Sequence, residues 1–235
     1  MVLQQSEPKA RYVTQIFTKV AHRYDLMNKL MTFGQDRAWR REAVRIASTS
    51  GRGQVLDVGT GTADLAIEIA PTADAVVALD FCPEMMSRGK AKVIENGLGG
   101  KVNFILGDAE QLPFASDSFD CILAGFALRN MTSIARCLTE MRRVLKPGGR
   151  VVSLELIMPS SRVVRAFHQL YLWRVTPILG RVVTQDSDAY IYLPKSISDF
   201  PRAEEVKTIM EGVGFYEVSY KLLNLGTIAI HSGVK

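Results

Sequence analysis

The sequence has few cysteines and no long apolar segment. Its 235 residues include three cysteines, Cys82, Cys121 and Cys137, an odd number without the spacing of metal ligands. We therefore expect neither a disulfide framework nor a metal site, and a cytoplasmic location. No run approaches the ~20 apolar residues of a membrane span, and no signal peptide is expected. With 47% hydrophobic and 23% charged residues, the chain is typical of a globular domain with a large core.

Acidic residues are scarce in two regions. The net charge is +5, but residues 1–50 hold nine Lys/Arg against four Asp/Glu, and residues 160–185 hold four arginines and no acid. Basic patches of this kind suit anionic surfaces, either nucleic acid or phospholipid headgroups. The composition leaves both partners open.

Strand-like and helix-like segments alternate through the middle of the chain. This pattern predicts an α/β fold with a doubly wound, mostly parallel sheet. Two final strands near 215–221 and 226–231 predict an antiparallel hairpin appended to that sheet. The predicted parallel strands are 55–58, 75–79, 102–106, 119–124 and 151–156, with a breaker at 146–149 before the last.

Two further regions surround the predicted sheet domain, which we place at 51–235. Residues 1–50 precede it as a helical cap or lid, with a loose tail over 1–10 and a short helix over 13–20. An inserted helical segment follows the fifth strand at about 160–200. An apolar stripe there, bordered by arginines, predicts a helix that either packs on the core or lies at a membrane interface.

A glycine-rich turn follows the first predicted strand. Asp57, Gly59 and Gly61 stand where a strand gives way to a helix, and glycine lets the backbone approach a ligand closely. The next strand ends in Asp80, whose carboxylate can accept hydrogen bonds from a ribose. Asp64 replaces the third glycine of the dinucleotide fingerprint, and no Walker lysine follows. The pattern favours S-adenosylmethionine (SAM), although glycines in an ordinary strand–turn–helix would look the same.

Other strand ends carry polar residues that would meet the same ligand. Asp108 and Ala109 follow the third strand and are candidates to bind adenine, by side chain and backbone respectively. The alternative for Asp108 is a simple turn. Gly125 ends the fourth strand and would line the other side of the ligand, because ligands in open α/β sheets bind at the carboxyl ends of strands.

Arg129 and Asn130 follow the fourth strand directly. A guanidinium there could stabilise a developing phenolate, so we predict a catalytic role for both residues. The alternative is a salt bridge that braces the loop. Tyr24 and Asp25, in the cap, are predicted to support an acceptor pocket, although Asp25 could equally cap a helix. The histidines at 168 and 231 look isolated.

Several motifs along the chain match one enzyme family in order. They include Tyr24-Asp25-Leu26-Met27-Asn28, Leu128-Arg129-Asn130, Tyr190-Ile191-Tyr192-Leu193 and the final His231-Ser232-Gly233-Val234-Lys235. With these motifs, the chain resembles the ubiquinone/menaquinone biosynthesis C-methyltransferase family, class I SAM-dependent enzymes, from about Phe17 to Lys235. The resemblance implies a Rossmann-like seven-stranded sheet. It also carries cofactor-binding roles onto Thr62, Asp80, Asp108, Ala109 and Gly125.

The same resemblance implies C-methylation of a prenylated quinol, with demethylmenaquinol as the favoured acceptor. The expected partners are the quinol and, reversibly, the inner membrane surface; monomer and homodimer both stay open. A different phenolic or lipid-like acceptor is the main alternative. Nucleic acid is not expected, because the fourth strand lacks the Asn/Asp-Pro-Pro-aromatic motif of amino-group methylation. A SAM-binding regulator without activity is the remaining alternative.

Overall fold

Seven strands form one mixed sheet in the computed structural model, which describes residues 7–48, 53–178 and 188–235. The strands are β1 (Gln54–Val58), β2 (Ala75–Asp80), β3 (Val102–Leu106), β4 (Phe119–Gly125), β5 (Leu145–Leu156), β6 (Tyr216–Leu223) and β7 (Ile228–Val234). Their order across the sheet is β3-β2-β1-β4-β5-β7-β6. Only β7 runs antiparallel to its neighbours β5 and β6. The predicted mostly parallel seven-stranded sheet, with its antiparallel end, is confirmed.

The strand order reverses at β1, although β1 and β4 run parallel. From β1 the sheet grows through β2 to β3, and the chain then crosses back to place β4 on the other side of β1. Residue 58 pairs with Leu79, and Asp57 pairs with Leu123. Because the strands are parallel and in this register, the turns after β1, β2 and β4 meet at one edge. This is the topological switch point where open α/β sheets bind ligands.

Both faces of the sheet are buried, which explains why its central strands are almost continuously apolar. Along β4, Ile122 belongs to one core cluster and Leu123 to the other, as the two-residue period of a strand requires. Helices that alternate with the strands cover the two faces. They are α3 (Asp36–Ala47), α4 (Asp64–Ile69) and α5 (Pro83–Glu95) on one face, and α6 (Ile134–Val144) and α9 (Ala203–Gly212) on the other.

The N-terminal region is more ordered than the sequence indicated. It comprises α1 (Glu7–Val20), a 3₁₀ turn (Ala21–Arg23) and α2 (Tyr24–Met31) before α3. The predicted loose tail is wrong for residues 7–10, because Lys9 Nζ donates to the carbonyl oxygen of Met131 and so ties α1 to the sheet domain. Residues 1–6 lie outside the described part. The predicted boundary at residue 50 falls in the undescribed stretch 49–52 and stays a prediction.

The predicted breaker at 146–149 is instead part of β5. Leu145 pairs with Phe119, and Arg150 pairs with Cys121, so the residues between them form a bulge rather than a loop. The end of the chain provides the missing partners. Gly148 N donates to Lys235 O at 2.8 Å, and Lys235 N donates to Gly149 O at 3.0 Å. Pairing between segments so distant in sequence turned a glycine-rich breaker into strand.

The insertion after β5 is helical, as predicted, where it is described. It contains α7 (Arg162–Leu170), a π-helix (Tyr171–Val175) and α8 (Asp188–Asp199), while residues 179–187 lie outside the described part. None of the side chains of α7, all of them described, is buried. Val163 is 68% exposed and Phe167 70% exposed. The interpretation of the stripe as core is wrong, because other helices already cover both sheet faces. Among the described residues, no helix is long and apolar enough to cross a membrane.

Candidate active site

The glycine turn after β1 has the left-handed backbone that its sequence suggested. Gly59 has φ +67° and Gly61 has φ +55°. Gly59 N and the next amide donate to Leu79 O at 2.8 and 3.0 Å, which ties the turn to the end of β2. A Cβ atom at Gly59 would lie 2.6 Å from the Cβ of Ala127. Glycine is therefore needed here for both conformation and space.

Asp80 is held rigidly beside this turn. Its Oδ2 accepts from Gly61 N at 2.7 Å, and its Oδ1 accepts from Cys82 N at 2.9 Å. Burial raises the pKa of Asp80, and the backbone N–H groups oppose the rise. Each carboxylate oxygen has a second lone pair, so the group can still accept a hydrogen bond from a ligand hydroxyl.

Asp57 lies beneath the turn and is fully buried. Its Oδ2 accepts from the hydroxyl of Thr60 at 2.7 Å, while its Oδ1 has no hydrogen-bond partner among the described residues. Burial raises the pKa of Asp57 to about 7, and the nearby Asp80 carboxylate adds to the rise. Asp57 thus fixes the turn from below and changes its charge near neutral pH.

A first cavity opens between the glycine turn and the ends of β2 and β4. Six of the eight predicted cofactor residues line it: Asp57, Gly59, Gly61, Thr62, Asp80 and Gly125. The lining includes neither Asp108 nor Ala109. Asp108 Oδ1 accepts from Glu110 N at 2.8 Å, which is the turn that the sequence offered as the alternative, and Ala109 is buried in the core.

The cap covers this cavity. Phe17, Tyr24 and Arg40 reach it from the N-terminal helices and leave only about 50 Å³. Typical small-molecule sites measure ~300–1,000 Å³, so the cap must shift outward when a ligand enters. Arg40 was not among the site residues predicted from the sequence. A basic side chain at helical spacing from two apolar residues, Ala43 and Val44, was the available signal.

A polar network joins the cap to the sheet domain. Asp25 Oδ1 accepts from the Thr62 hydroxyl at 2.6 Å, and Asp25 Oδ2 pairs with Lys92 Nζ at 2.8 Å. Lys92 also pairs with Asp64. Arg40, which is paired with the acid at position 36, reaches Asp64 Oδ2 at 3.3 Å. Asp25 lines neither the first nor the second cavity; its contacts make it a tie that holds the cap over the glycine turn.

A second cavity of about 220 Å³ lies beside the first. Tyr24, Arg40 and Phe126 line both, so they form the boundary between them. The remaining wall is mostly apolar and comes from the cap, the insertion and the end of the chain. Its apolar and aromatic members are Met31, Phe33, Trp39, Leu156, Tyr171, Leu172 and Leu193.

Arg129 and Asn130 share a 3₁₀ turn but line different cavities. Arg129 lines the second cavity, and Asn130 lines the first. Arg129 Nη1 donates to Glu155 Oε2 at 2.9 Å and to Phe126 O at 2.7 Å. Burial raises the pKa of Glu155, and the guanidinium opposes the rise. Arg129 therefore makes the bracing salt bridge that the sequence offered as the alternative, and it also faces the candidate acceptor space.

Asn130 has a fixed amide orientation. Its Nδ2 donates to Phe126 O at 3.1 Å, and its Oδ1 accepts from the hydroxyl of Tyr192 at 3.1 Å. Since a carbonyl can only accept, Nδ2 must face Phe126, and Oδ1 must then face Tyr192. Burial raises the pKa of Tyr192, so its phenol stays a donor. In the sequence, Tyr192 was recognised only as part of a family motif, and its contact with Asn130 was not predicted.

His168 is a second residue whose place the sequence did not reveal. It looked isolated, but α7 places it in the wall of the second cavity near Tyr171 and Leu172. Burial lowers the pKa of His168, so its ring is uncharged at neutral pH. Helical spacing from Tyr171 and Leu172 was the only available signal, and it did not distinguish cavity from core.

Comparison with known proteins decides the family. A model of the ubiE/COQ5 methyltransferase family matches residues 4–235. The chain belongs to this family. It is 41% identical to a demethylmenaquinone methyltransferase of Roseiflexus castenholzii, over 100% of this chain and 98% of that one. It is 40% identical to the ubiquinone/menaquinone biosynthesis C-methyltransferase UbiE of Geotalea daltonii, over 97% of each chain.

A solved structure shares the fold. A SAM-dependent methyltransferase of Thermotoga maritima superposes with a TM-score of 0.66 at 20% identity, over 94% of this chain and 98% of that one. As a member of the family, the chain is a C-methyltransferase that uses SAM. The residues that line the first cavity suit such a donor, because they combine close backbone approach at Gly59 with a buried carboxylate at Asp80.

Proposed function

We propose that the chain methylates a ring carbon of a prenylated quinol, with demethylmenaquinol as its acceptor. The observation that carries the proposal is the second cavity. It is mostly apolar, it adjoins the glycine-turn cavity, and Tyr24, Arg40 and Phe126 line both. An aromatic ring with a hydrocarbon substituent suits such walls. The names of the two relatives support the same class of acceptor.

The first cavity would hold SAM with the residues of the three strand ends. Asp80 would bind the ribose hydroxyls, and the glycine turn would lie against the amino-acid portion. When bound, SAM supplies an electrophilic methyl group on a positively charged sulfur. Thr62 and Asp57 support the turn, and Gly125 leaves room on the opposite side, where a Cβ atom would lie 3.0 Å from Leu65. A contribution from Asp108 or Ala109 would require the cavity to widen toward β3.

Arg129 and Asn130 are the residues that we assign to the acceptor. The ring hydroxyl would lose its proton to water, and a nearby guanidinium would stabilise the phenolate that forms. The ring carbon would then take the methyl group as the S–CH₃ bond of SAM breaks, and its own hydrogen would leave as a proton to water, which restores the aromatic ring. Arg129 is not itself the base, since the pKa of its guanidinium exceeds ~12. Glu155 holds the guanidinium in place. Tyr24 lies at the boundary between the cavities, and Asp25 supports it by holding the cap down.

The test is direct. The protein is incubated with labelled SAM and chemically reduced demethylquinones, and mass spectrometry locates the added methyl group. We expect methylation of a ring carbon in the naphthoquinol. Methylation of other prenylated phenols only would replace the acceptor in the proposal. SAM binding without turnover on any acceptor would favour the regulator and contradict the proposal.

The Arg129→Lys variant tests the assigned charge stabilisation. A lysine keeps the positive charge but not the planar, two-sided hydrogen bonding of a guanidinium. We expect most of kcat to be lost while the dissociation constant for SAM, measured by calorimetry, is unchanged. A variant that unfolds, or that loses SAM binding to the same extent, would show that the brace to Glu155 is the main role of Arg129.

We also propose that the exposed face of α7 binds anionic membranes reversibly, at the inner surface where the quinol resides. Val163, Phe167 and Leu170 are exposed there beside Arg162 and Arg165. Basic groups near an anionic leaflet contribute ~1 kcal/mol each. Exposed apolar side chains add to that attraction by entering the headgroup region.

Vesicle flotation at low and high salt tests this surface. We expect binding at low salt that weakens for Arg162→Glu with Arg165→Glu. The control Arg88→Glu with Arg136→Glu makes the same charge change on exposed residues outside the insertion. Equal loss in both double variants, or no flotation of the unmodified protein, would contradict the proposal. Light scattering on the same samples distinguishes a monomer from a homodimer.

A further inference from the structure

An apolar groove lies between α2 and the π-helix of the insertion. It measures about 540 Å³, and six of its seven lining residues carry no charge. Four of them are large apolar residues that the fold leaves partly open to solvent: Leu26, Leu30, Phe33 and Val175. The others are Lys29, Gly34 and Tyr171. A groove of this composition suits a hydrocarbon chain rather than a polar ligand.

The groove adjoins the second cavity. Phe33 and Tyr171 line both spaces. The hydroxyl of Tyr171 donates to Met31 O at 2.8 Å, and this hydrogen bond joins the two walls at the inner end of the groove. The groove therefore lies next to the acceptor cavity, and the partly exposed side chains of Leu30 and Val175 show that it is open to solvent.

Phe33 stands out at the junction. It is 80% exposed and has φ +52°, a left-handed conformation that is uncommon for a residue with a bulky side chain. Thr32 fixes the preceding turn, because its hydroxyl donates to Asn28 O at 2.7 Å. The turn thus holds an aromatic ring at the surface instead of burying it. A hydrophobic ligand that covers the ring would explain its position.

A different route out of the acceptor region is too narrow. A cavity between α1, α2 and α8 is also apolar, but it measures only about 60 Å³. Its side chains include Ile16, Val20 and Met27, each at most 4% exposed. Because those side chains are packed and closed to solvent, this cavity offers no open path for a long substituent in this structure, unlike the groove.

We infer that the groove between α2 and the π-helix binds the isoprenoid chain of the acceptor while its ring lies in the second cavity. This inference rests on the proposed function and adds the place of the hydrocarbon tail. The outer end of the groove carries exposed Leu26 and Leu30, so the distal part of the tail can stay in the membrane while the ring enters the protein.

Two acceptors separate the role of the groove from the methyl transfer. One is a reduced naphthoquinone whose prenyl chain is short enough for the compound to dissolve in water. The other is the same reduced naphthoquinone without a chain. The variant Leu30→Ser with Val175→Ser removes apolar surface from both walls of the groove. We expect kcat/KM for the prenylated acceptor to fall about tenfold, because its contacts with the chain are lost, while kcat/KM for the chain-free acceptor is unchanged.

The control is Ile94→Ser, which changes an even more exposed apolar residue of α5 away from the groove. It should leave both acceptors unaffected, and thermal unfolding should show that all variants fold. A similar fall for both acceptors, or no fall for either, would overturn the inference. If the unmodified protein methylates neither acceptor, the proposed function itself fails. The second variant Leu30→Trp, which narrows the groove, should again impair only the prenylated acceptor.

Discussion

The two cavities are built in different ways. The first is formed largely by turns that follow β1, β2 and β4, and backbone hydrogen bonds such as that from Gly59 to Leu79 fix their positions. The second is assembled from α2, α3, the insertion and the turn before β7, which are far apart in the chain. The register of the sheet therefore determines the shape of the first cavity, and the packing of the helices determines the shape of the second. A family can therefore change its acceptor by altering helices without disturbing the donor site.

The cavities also differ in their charges. Beside the first, Asp57 and Asp80 are buried carboxylates whose hydrogen bonds come from a hydroxyl and from backbone N–H groups. Beside the second, the Arg129 guanidinium pairs with the fully buried carboxylate of Glu155. The carboxylates of Asp57 and Asp80 therefore have uncharged hydrogen-bond partners, whereas Arg129 and Glu155, 26 residues apart in the chain, form an ion pair. Four predictions test this difference.

The largest effect is expected for Glu155→Ala. It leaves the Arg129 guanidinium buried without its partner, and breaking one side of a buried pair costs about 3–5 kcal/mol. Denaturant unfolding should show this loss of stability. The double variant Glu155→Leu with Arg129→Met should recover much of it, because no charge is then left unpaired. An equal loss in both variants would mean that packing, rather than charge, dominates at this position.

The next effect concerns Asp57 and pH. Its pKa in the folded protein is about 7, above the usual value of an aspartate, so the folded state holds the proton more tightly. The stability of the unmodified protein should therefore fall as pH rises from about 4 to about 7, by roughly 2–4 kcal/mol. Asp57→Asn should remove this decline. Denaturant unfolding at several pH values across that range gives the free energy of unfolding of both proteins. If this free energy changes with pH in the same way for both, the prediction is contradicted.

Asp80→Ala should weaken SAM binding by about 1–3 kcal/mol, the scale of a lost hydrogen bond to a charged group. Calorimetry gives the dissociation constant directly. Asp74→Ala is the matched control, since Asp74 is exposed just before the other end of β2. If the two variants bind SAM equally well, Asp80 does not contact the donor, and its hydrogen bonds to Gly61 and Cys82 serve the turn alone.

The smallest effect is expected for Tyr192→Phe. The change removes the hydroxyl that orients Asn130 and should raise the barrier to methyl transfer by about 1 kcal/mol. We expect kcat to fall about fivefold with KM and SAM affinity unchanged. Asn130→Ala should make the Tyr192→Phe change silent, since Tyr192 acts only through Asn130. Additive effects in the double variant would show that Tyr192 acts independently.

Local patterns identified most of the donor site. Alternation and apolar runs predicted the strands, because a side chain's position along a strand fixes the face it joins. The sequence revealed three residues of this site: Gly59, Gly61 and Asp80. The glycines suit the left-handed backbone of the turn, and the acid stands at the end of a strand, where ligands bind. Asp108 shows the limit, because a Gly-Asp pair has the same sequence in a plain turn as in a ligand contact.

The sequence by itself determined the sheet, the glycine turn and the family. Only the tertiary structure decided that Arg129 pairs with Glu155, that Tyr192 orients Asn130, that Arg40 is buried, and that the stripe of α7 faces solvent. The physical reason is the same in each case. Periodicity shows that a residue shares a face with its neighbours, but the partner across that face comes from a distant segment, and its identity is fixed by packing alone.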